Sequence, residues 1–370
     1  MEANDEVHAP EFDEPVRDPD PAEGDIALGR VADPGELISS IPAMLGFCPT
    51  RSLVVALLGS HPENEGVQVI GAVTRFDIDS AAGPAEARGL ARMLESVRQC
   101  QKTSSTMVVV IDDRPTWSTN AEHLLGHLAR AGIESSHAWW VAQIATGVEY
   151  RDLLRHGRDG SVGDPRASTV AFARVVCGHQ IYAARHELAD LLDSDPVLAQ
   201  QVLPYRGGAV ARYRDDLAAA RTPDRVRELR RDRILWVLSQ ISTAEEERPS
   251  AQDLAMVVAL LRDRTIRDIM YGLARSQYHS AAEALWRQIA SATDGLDRAE
   301  AATMFAYSAY HRANTVLAGI AIATALDAEP THAMAELLAI ALDEHLPPEE
   351  IRSLAEAGVV VAADLCLDIT

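Results

Sequence analysis

The pattern of apolar residues changes character near residue 200, and this change constrains the fold more than any motif. From Leu37 to Ile144 short apolar runs of strand length alternate with segments of helical spacing, whereas from Asp195 onward every signal is helical. The order predicts a mixed α/β N-terminal domain over residues 28–200 and an all-α domain over 201–357. Residues 1–27 read as a disordered acidic tail and 358–370 as a C-terminal tail.

In the first half, residues 53–59 and 67–76 read as two strands joined by a polar loop with Pro62, Asn64 and Gly66, a hairpin. Residues 84–101 carry helical spacing at Ala87, Leu90, Ala91, Leu94 and Val97. The run 107–111 has the unbroken apolar character of a strand covered on both faces. An amphipathic helix over 119–131, ended by Gly132, and a strand over 136–144 follow. Gly157, Gly160, Gly163 and Pro165 make 149–168 loop-rich, and 169–176 and 186–192 read as helical.

The helical half is expected to break at 204–208, 222–223, 249, 295 and 330. Phe305 and Tyr310, then Ala318, Ala325 and Pro330, fall at positions similar to those of a tetratricopeptide repeat, and 325–330 is similar to that repeat's closing signature. Small alanines let two antiparallel helices approach closely. The flanking units at 281–290 and 331–342 match weakly, so the prediction is a stack of tetratricopeptide-like hairpins docked on the rest of the chain.

Asp33-Pro34-Gly35-Glu36-Leu37 opens a helix that Gly46 and Pro49 end near Leu45, and Arg51-Ser52 leads into the first strand. These residues, with 45–55 (Leu-Gly-Phe-Cys-Pro-Thr-Arg-Ser-Leu-Val-Val), resemble the actinobacterial domain-of-unknown-function family 4192. The resemblance runs from about Arg30 to about Leu354 and implies no assigned activity. It also implies Cys-rich, Trp-containing loops near 140–160; here Trp139 and Trp140 are present without cysteines, so no shared metal site is carried over.

Charge narrows the partners. The net charge is −21, which opposes nonspecific contact with nucleic acid or anionic lipid. Ten acids against Arg17 alone, interrupted by Pro10, Pro15, Pro19 and Pro21, fill the first 27 residues. No apolar run approaches 20 residues and the N-terminus is acidic, so neither a membrane span nor a secretory leader is expected and the cytoplasm is the expected location. Cys48, Cys100, Cys177 and Cys366 are scattered, as reduced buried thiols would be, and no metal site is expected of them.

Candidate chemistry lies in four places. Asp77 and Asp79, and Asp112 and Asp113, follow strands; carboxylates there suit Mg²⁺ and phosphate chemistry, while turn formation and helix capping are the simpler account. No cofactor is expected, Mg²⁺ being the one ion these carboxylates would suit. In the loop 157–166, Arg158 and Arg166 could hold an anion while glycines such as Gly163 let the backbone approach closely, and a mobile connector explains the loop equally well; Asp164 and Arg51 are further candidate ligand-binding residues. His123 and His127 stand i, i+4, but Leu124, Leu125 and Leu128 mark the core face, so both are expected toward solvent. Nine arginines among five acids over 206–233 read as a salt-bridged surface with Asp224, Glu228 and Asp232, or as a phosphate face. The leading expectation is a protein-interaction module acting through its helical half; the rival is a small-molecule or phosphate-handling enzyme on the α/β half. Oligomeric state stays open.

Overall fold

The computed structural model describes residues 33–60, 68–81, 105–130, 135–154, 157–176, 180–244, 248–312, 314–344, 346 and 348–369. The expected tail at 1–27 and helix at 84–101 lie outside the described residues.

Helix α1 (Pro34–Leu45) begins on Asp33, whose carboxylate accepts from Glu36 N, with Pro34 in the first turn where its missing N–H costs nothing. It ends at Gly46, left-handed at φ 80°, the conformation glycine adopts without penalty. Strands β1 (Ser52–Ser60) and β2 (Gln68–Asp77) form the expected antiparallel hairpin. A single turn, α2 (Ile78–Ala81), follows. Strand β3 (Ser105–Ile111) pairs antiparallel with β1, and β4 (Ser135–Val141) pairs parallel with β3. Helix α3 (Trp117–Arg130) makes that crossover. Two short strands, β5 (Glu149–Asp152) and β6 (Gly160–Ser161), complete a six-stranded sheet in the order β2-β1-β3-β4-β5-β6. The predicted loop 149–168 thus carries an edge hairpin.

Strands β1 and β3 carry unbroken apolar runs, Leu53–Leu58 and Met107–Ile111, because both faces are covered there. On one face Leu53, Val55, Leu57, Val108 and Val110 meet Ala121, Leu124 and Leu128 of α3. On the other, Val54, Ala56, Met107 and Val109 meet Ile38, Ile41 and Leu45 of α1 in a core that continues through Leu188 and Leu192 into the helical half, as far as Trp286 and Ile289.

After α4 (Thr169–Val176) and α5 (Arg185–Asp190) the chain is helical: α6 (Pro196–Ala219), α7 (Pro223–Thr243), α8 (Ala251–Leu261), α9 (Arg264–Gly272), α10 (His279–Ala292), α11 (Gly295–His311), α12 (Thr315–Ala328), α13 (Ala333–Asp343) and α14 (Pro348–Asp364). An α/β half followed by an all-α half is the architecture expected. Helices α11 and α12 form a hairpin whose crossing is lined by buried Ala299, Ala302, Ala306, Ala318, Ala321 and Ala325.

Two expectations are corrected. Pro204, Gly207 and Gly208 do not break the chain: α6 runs 24 residues through them. A proline in a helix interior costs about 3 kcal/mol, and packing offsets it here. Val202, Ala209 and Tyr213 are buried as α6 packs on α8, and Tyr213 Oη donates to Asp263 at 2.8 Å. The stretch 358–370, read as a tail, holds the end of α14, and Leu365, Leu367 and Ile369 beyond it are buried. Among the described residues, no helix is long and apolar enough to cross a membrane.

Candidate ligand-binding cleft

The strand-end carboxylates do share one rim. Because β1 is antiparallel to both β2 and β3, these two run parallel, and Asp77 and Ile111 flank the same residue, Ser52. Asp77, Asp79, Asp112 and Asp113 therefore gather at one end of the sheet, beside the end of β4.

Arginine then neutralises them. Asp112 is fully buried; it accepts from Arg114 N at 3.1 Å, Nε at 2.7 Å and NH2 at 3.0 Å. The same guanidinium reaches Asp79 Oδ1 at 2.6 Å. Asp77 caps α2 by accepting from Asp79 N at 3.0 Å and lies 3.5 Å from Arg75. Asp113 pairs with Arg51 at 3.5 Å, both exposed. A buried carboxylate beside a divalent cation would need its oxygens for the metal; here they serve a guanidinium fork. Among the described residues no group of three His, Cys, Asp or Glu side chains could hold a metal ion.

Arg51 is held at φ 44°, a left-handed conformation that costs a non-glycine residue about 1–2 kcal/mol. Its carbonyl accepts from Ile78 N at 3.1 Å, tying the entry of β1 to the exit of β2. Farther along the rim, Trp140 Nε1 donates to Asp112 O at 3.0 Å and its ring stacks on Trp117 with centroids 4.0 Å apart. Arg151 covers both rings at 5.8 and 6.0 Å.

The glycine-rich loop is docked on α1. Gly163 N donates to Gly35 O at 3.3 Å, and a Cβ on Gly35 would lie 2.2 Å from Ser161 O. Glycine at 35 is thus required by the approach of this loop. Asp164 Oδ1 accepts from Arg166 N, closing a turn, and Asp159 Oδ1 accepts from Asp152 N. Arg158 precedes β6 and Arg166 follows it, so the two exposed arginines stand at opposite ends of that strand. Asp112 and Gly163 follow strands three positions apart, about 14 Å at the usual spacing of about 4.8 Å. The rim and the loop do not form one cradle.

His123 is exposed, whereas His127 is half-buried with Nδ1 3.1 Å from Arg130 NH1. The arginine-rich segment is salt-bridged, largely between helices: Arg230 reaches Asp263, Arg233 reaches Asp216, and only Arg225–Glu228 lies within α7. Cys48 is half-buried, its thiol pushed up by burial, and Cys366 is exposed.

Among the described residues, a concave feature lies in the helical half. A cleft of about 700 Å³ opens between the α8–α9 turn, the start of α11 and the start of α13. Its apolar walls include Val258, Leu261, Leu296, Met334 and Leu337. Leu296 of α11 is 54% and Leu337 of α13 59% exposed.

Two carboxylates organise its floor. Asp297 is buried; it accepts from Arg262 Nε and NH2 at 3.0 and 2.9 Å and from Arg206 NH2 at 2.6 Å. Glu300 faces His332 Nε2 at 3.3 Å, Tyr271 Oη at 3.4 Å and Arg267 NH1 at 3.6 Å. Burial, then the charge of Glu300, pushes the Tyr271 phenol well above its ordinary range, so it stays a donor. His332 caps α13: Ala335 N donates to Nδ1 at 3.2 Å, which places the imidazole proton on Nε2, toward Glu300. The groups come from residues 258 to 337 with no local motif. The sequence signal nearest to them is Pro330, which ends α12 and places Thr331 and His332 at the cleft.

The model of one family, "Domain of unknown function (DUF4192)", matches residues 34–349 of this chain. The chain belongs to the DUF4192 family. Among curated proteins and among solved structures, nothing matches it. The DUF4192 match starts at Pro34, and it spans the sheet, the rim and the whole cleft.

Proposed function

We propose that this DUF4192 protein is a cytoplasmic binding module whose helical half takes a segment of a partner protein into the cleft beside α11 and α13. The observation that carries this reading is that Leu296 of α11 and Leu337 of α13 line one open cleft, each more than half exposed. Two large aliphatic side chains from different helices offer apolar surface that a partner would bury, at about 25 cal/mol per Å². The floor supports recognition over turnover: His332, Tyr271 and Arg267 already converge on Glu300, and Arg206 and Arg262 on Asp297. The rival reading, a phosphate-handling site at the sheet rim, has its carboxylates gathered but committed to Arg114, Arg75 and Arg51.

The test uses the tagged full chain purified from its own host, with the intact eluate read by native mass spectrometry. A stoichiometric protein companion, lost from the Leu296→Asp/Leu337→Asp variant, is the expected result. A companion held equally by that variant, or a wild-type chain carrying only a small-molecule or metal mass, would overturn the reading.

A further inference from the structure

The outer face of α13 is uncovered for a topological reason. In a simple stack of hairpins the next helix would lie along α13, but α14 turns back and packs on α9 instead. Its crossing point is Gly358 against Gly272, too close for any larger residue to be added without a shift. The face left open carries Leu337 and Ile340, 59% and 58% exposed and about 4.5 Å apart along the helix axis. It continues into the cleft through Leu296 and Met334.

Charge around this surface has one sign. Glu336, Asp343 and Glu344 are exposed on α13 and make no ion pair among the described residues. Each arginine of the cleft, in contrast, has a carboxylate: Arg262 has Asp297, and Arg267 has Glu300 and Asp268. Over residues 327–344, which hold α13 and the turn before it, the chain has five acids (Asp327, Glu329, Glu336, Asp343, Glu344) and no Lys or Arg.

We infer that the occupant is a cationic amphipathic helix of a partner protein. Its apolar residues, at i, i+3 and i+4, cover Leu296, Leu337 and Ile340, and its Lys or Arg side chains face Glu336, Asp343 and Glu344. A symmetric pairing of two copies through this face would set those acids against each other, and a nucleic acid would meet the same repulsion. The inference rests on the cleft being a docking site and adds the chemistry of what docks.

The experiment selects phage-displayed random peptides of about 16 residues, enough for about 24 Å of helix, on the full chain. Selected peptides are then synthesised and titrated by fluorescence anisotropy at low and high salt. The expected result is a consensus rich in Lys or Arg with apolar residues at helical spacing. Affinity should weaken about tenfold or more in Glu336→Lys/Asp343→Lys and at high salt, since opposite charges become like ones. All of these positions are exposed, and unchanged circular dichroism and melting temperature establish that the variants fold.

An acidic or uncharged consensus that still depends on Leu296 and Leu337 would overturn the charge inference and leave the cleft reading standing. Binders indifferent to Leu296→Asp/Leu337→Asp, or no binders at all, would overturn both. A second copy is the remaining occupant, through exposed Arg227 and Arg231 of α7. Salt-sensitive self-association abolished by Arg227→Glu/Arg231→Glu would establish that occupant and overturn the inference.

Discussion

Gly272 and Gly358 meet backbone to backbone where α14 crosses α9: a Cβ on Gly358 would lie 2.8 Å from Gly272 N and 2.6 Å from Asp268 O. No L side chain fits there without moving a helix. Gly358→Ala and Gly272→Ala are therefore expected to destabilise the protein by about 1–3 kcal/mol, the usual cost of overpacking, although alanine is the better helix former. Urea unfolding checks this, and a Gly358→Ala chain as stable as the wild type would refute the crossing.

The rim contains a ranked pair of tests. Arg114 serves a fully buried Asp112, whereas Arg51 meets Asp113 in the open. Arg114→Ala leaves a buried carboxylate without its cation and is expected to lower the melting temperature clearly. An exposed pair contributes about 0–1 kcal/mol, so Asp113→Ala should leave thermal unfolding nearly unchanged. Calorimetry on both variants gives the order; the reverse order would mean that the rim is not held by Arg114.

Asp297 is the negative centre between Arg206 and Arg262 at the cleft floor. Asp297→Ala leaves Arg262 without its carboxylate and Arg206 with Asp294 alone, and is expected to cost about 1–3 kcal/mol. In a double-mutant cycle with Arg262→Ala, the two losses should be strongly non-additive. Additive losses would show that the three groups do not act as a unit.

His311 predicts an acid limb to stability. Burial first, then Arg352, Arg275, Arg312 and His279 around it, lower its imidazole to about 4 from an ordinary 6.5. The unfolded chain thus binds a proton more readily, so the contribution is full above pH 6.5 and is lost as pH falls toward 4. His311→Phe, which cannot titrate, should flatten the urea midpoint across that window. A profile as steep as the wild type's would assign the limb to other groups.

The layout of the fold was legible where the signal is local. Unbroken apolar runs marked β1 and β3, and Gly46, Thr222-Pro223 and Pro330 marked true ends, because each acts on the backbone within a residue or two. Pro204 misled because the local penalty is offset by burial of Val202, Ala209 and Tyr213 against a helix some 50 residues away, a term that no window contains. Asp112 could be read as a turn former, which it is, but not as the buried partner of Arg114 and of the Trp140 indole beside it. The family signature proves architectural: Asp33 caps, Pro34 starts, Gly35 admits the loop at 161, Gly46 ends. The cleft was invisible because five segments, each unremarkable alone, supply its lining.

The return of α14 onto α9 also has a consequence for biosynthesis. Gly358 follows Gly272 by 358 − 272 = 86 residues, so a ribosome adding about 5–20 residues per second needs about 4–17 s between the two. During that interval α9 of the nascent chain lacks the helix that packs on it when folded. The residues of α14 thus complete a core begun much earlier, and a stall before residue 358 would leave α9 without the helix that crosses it.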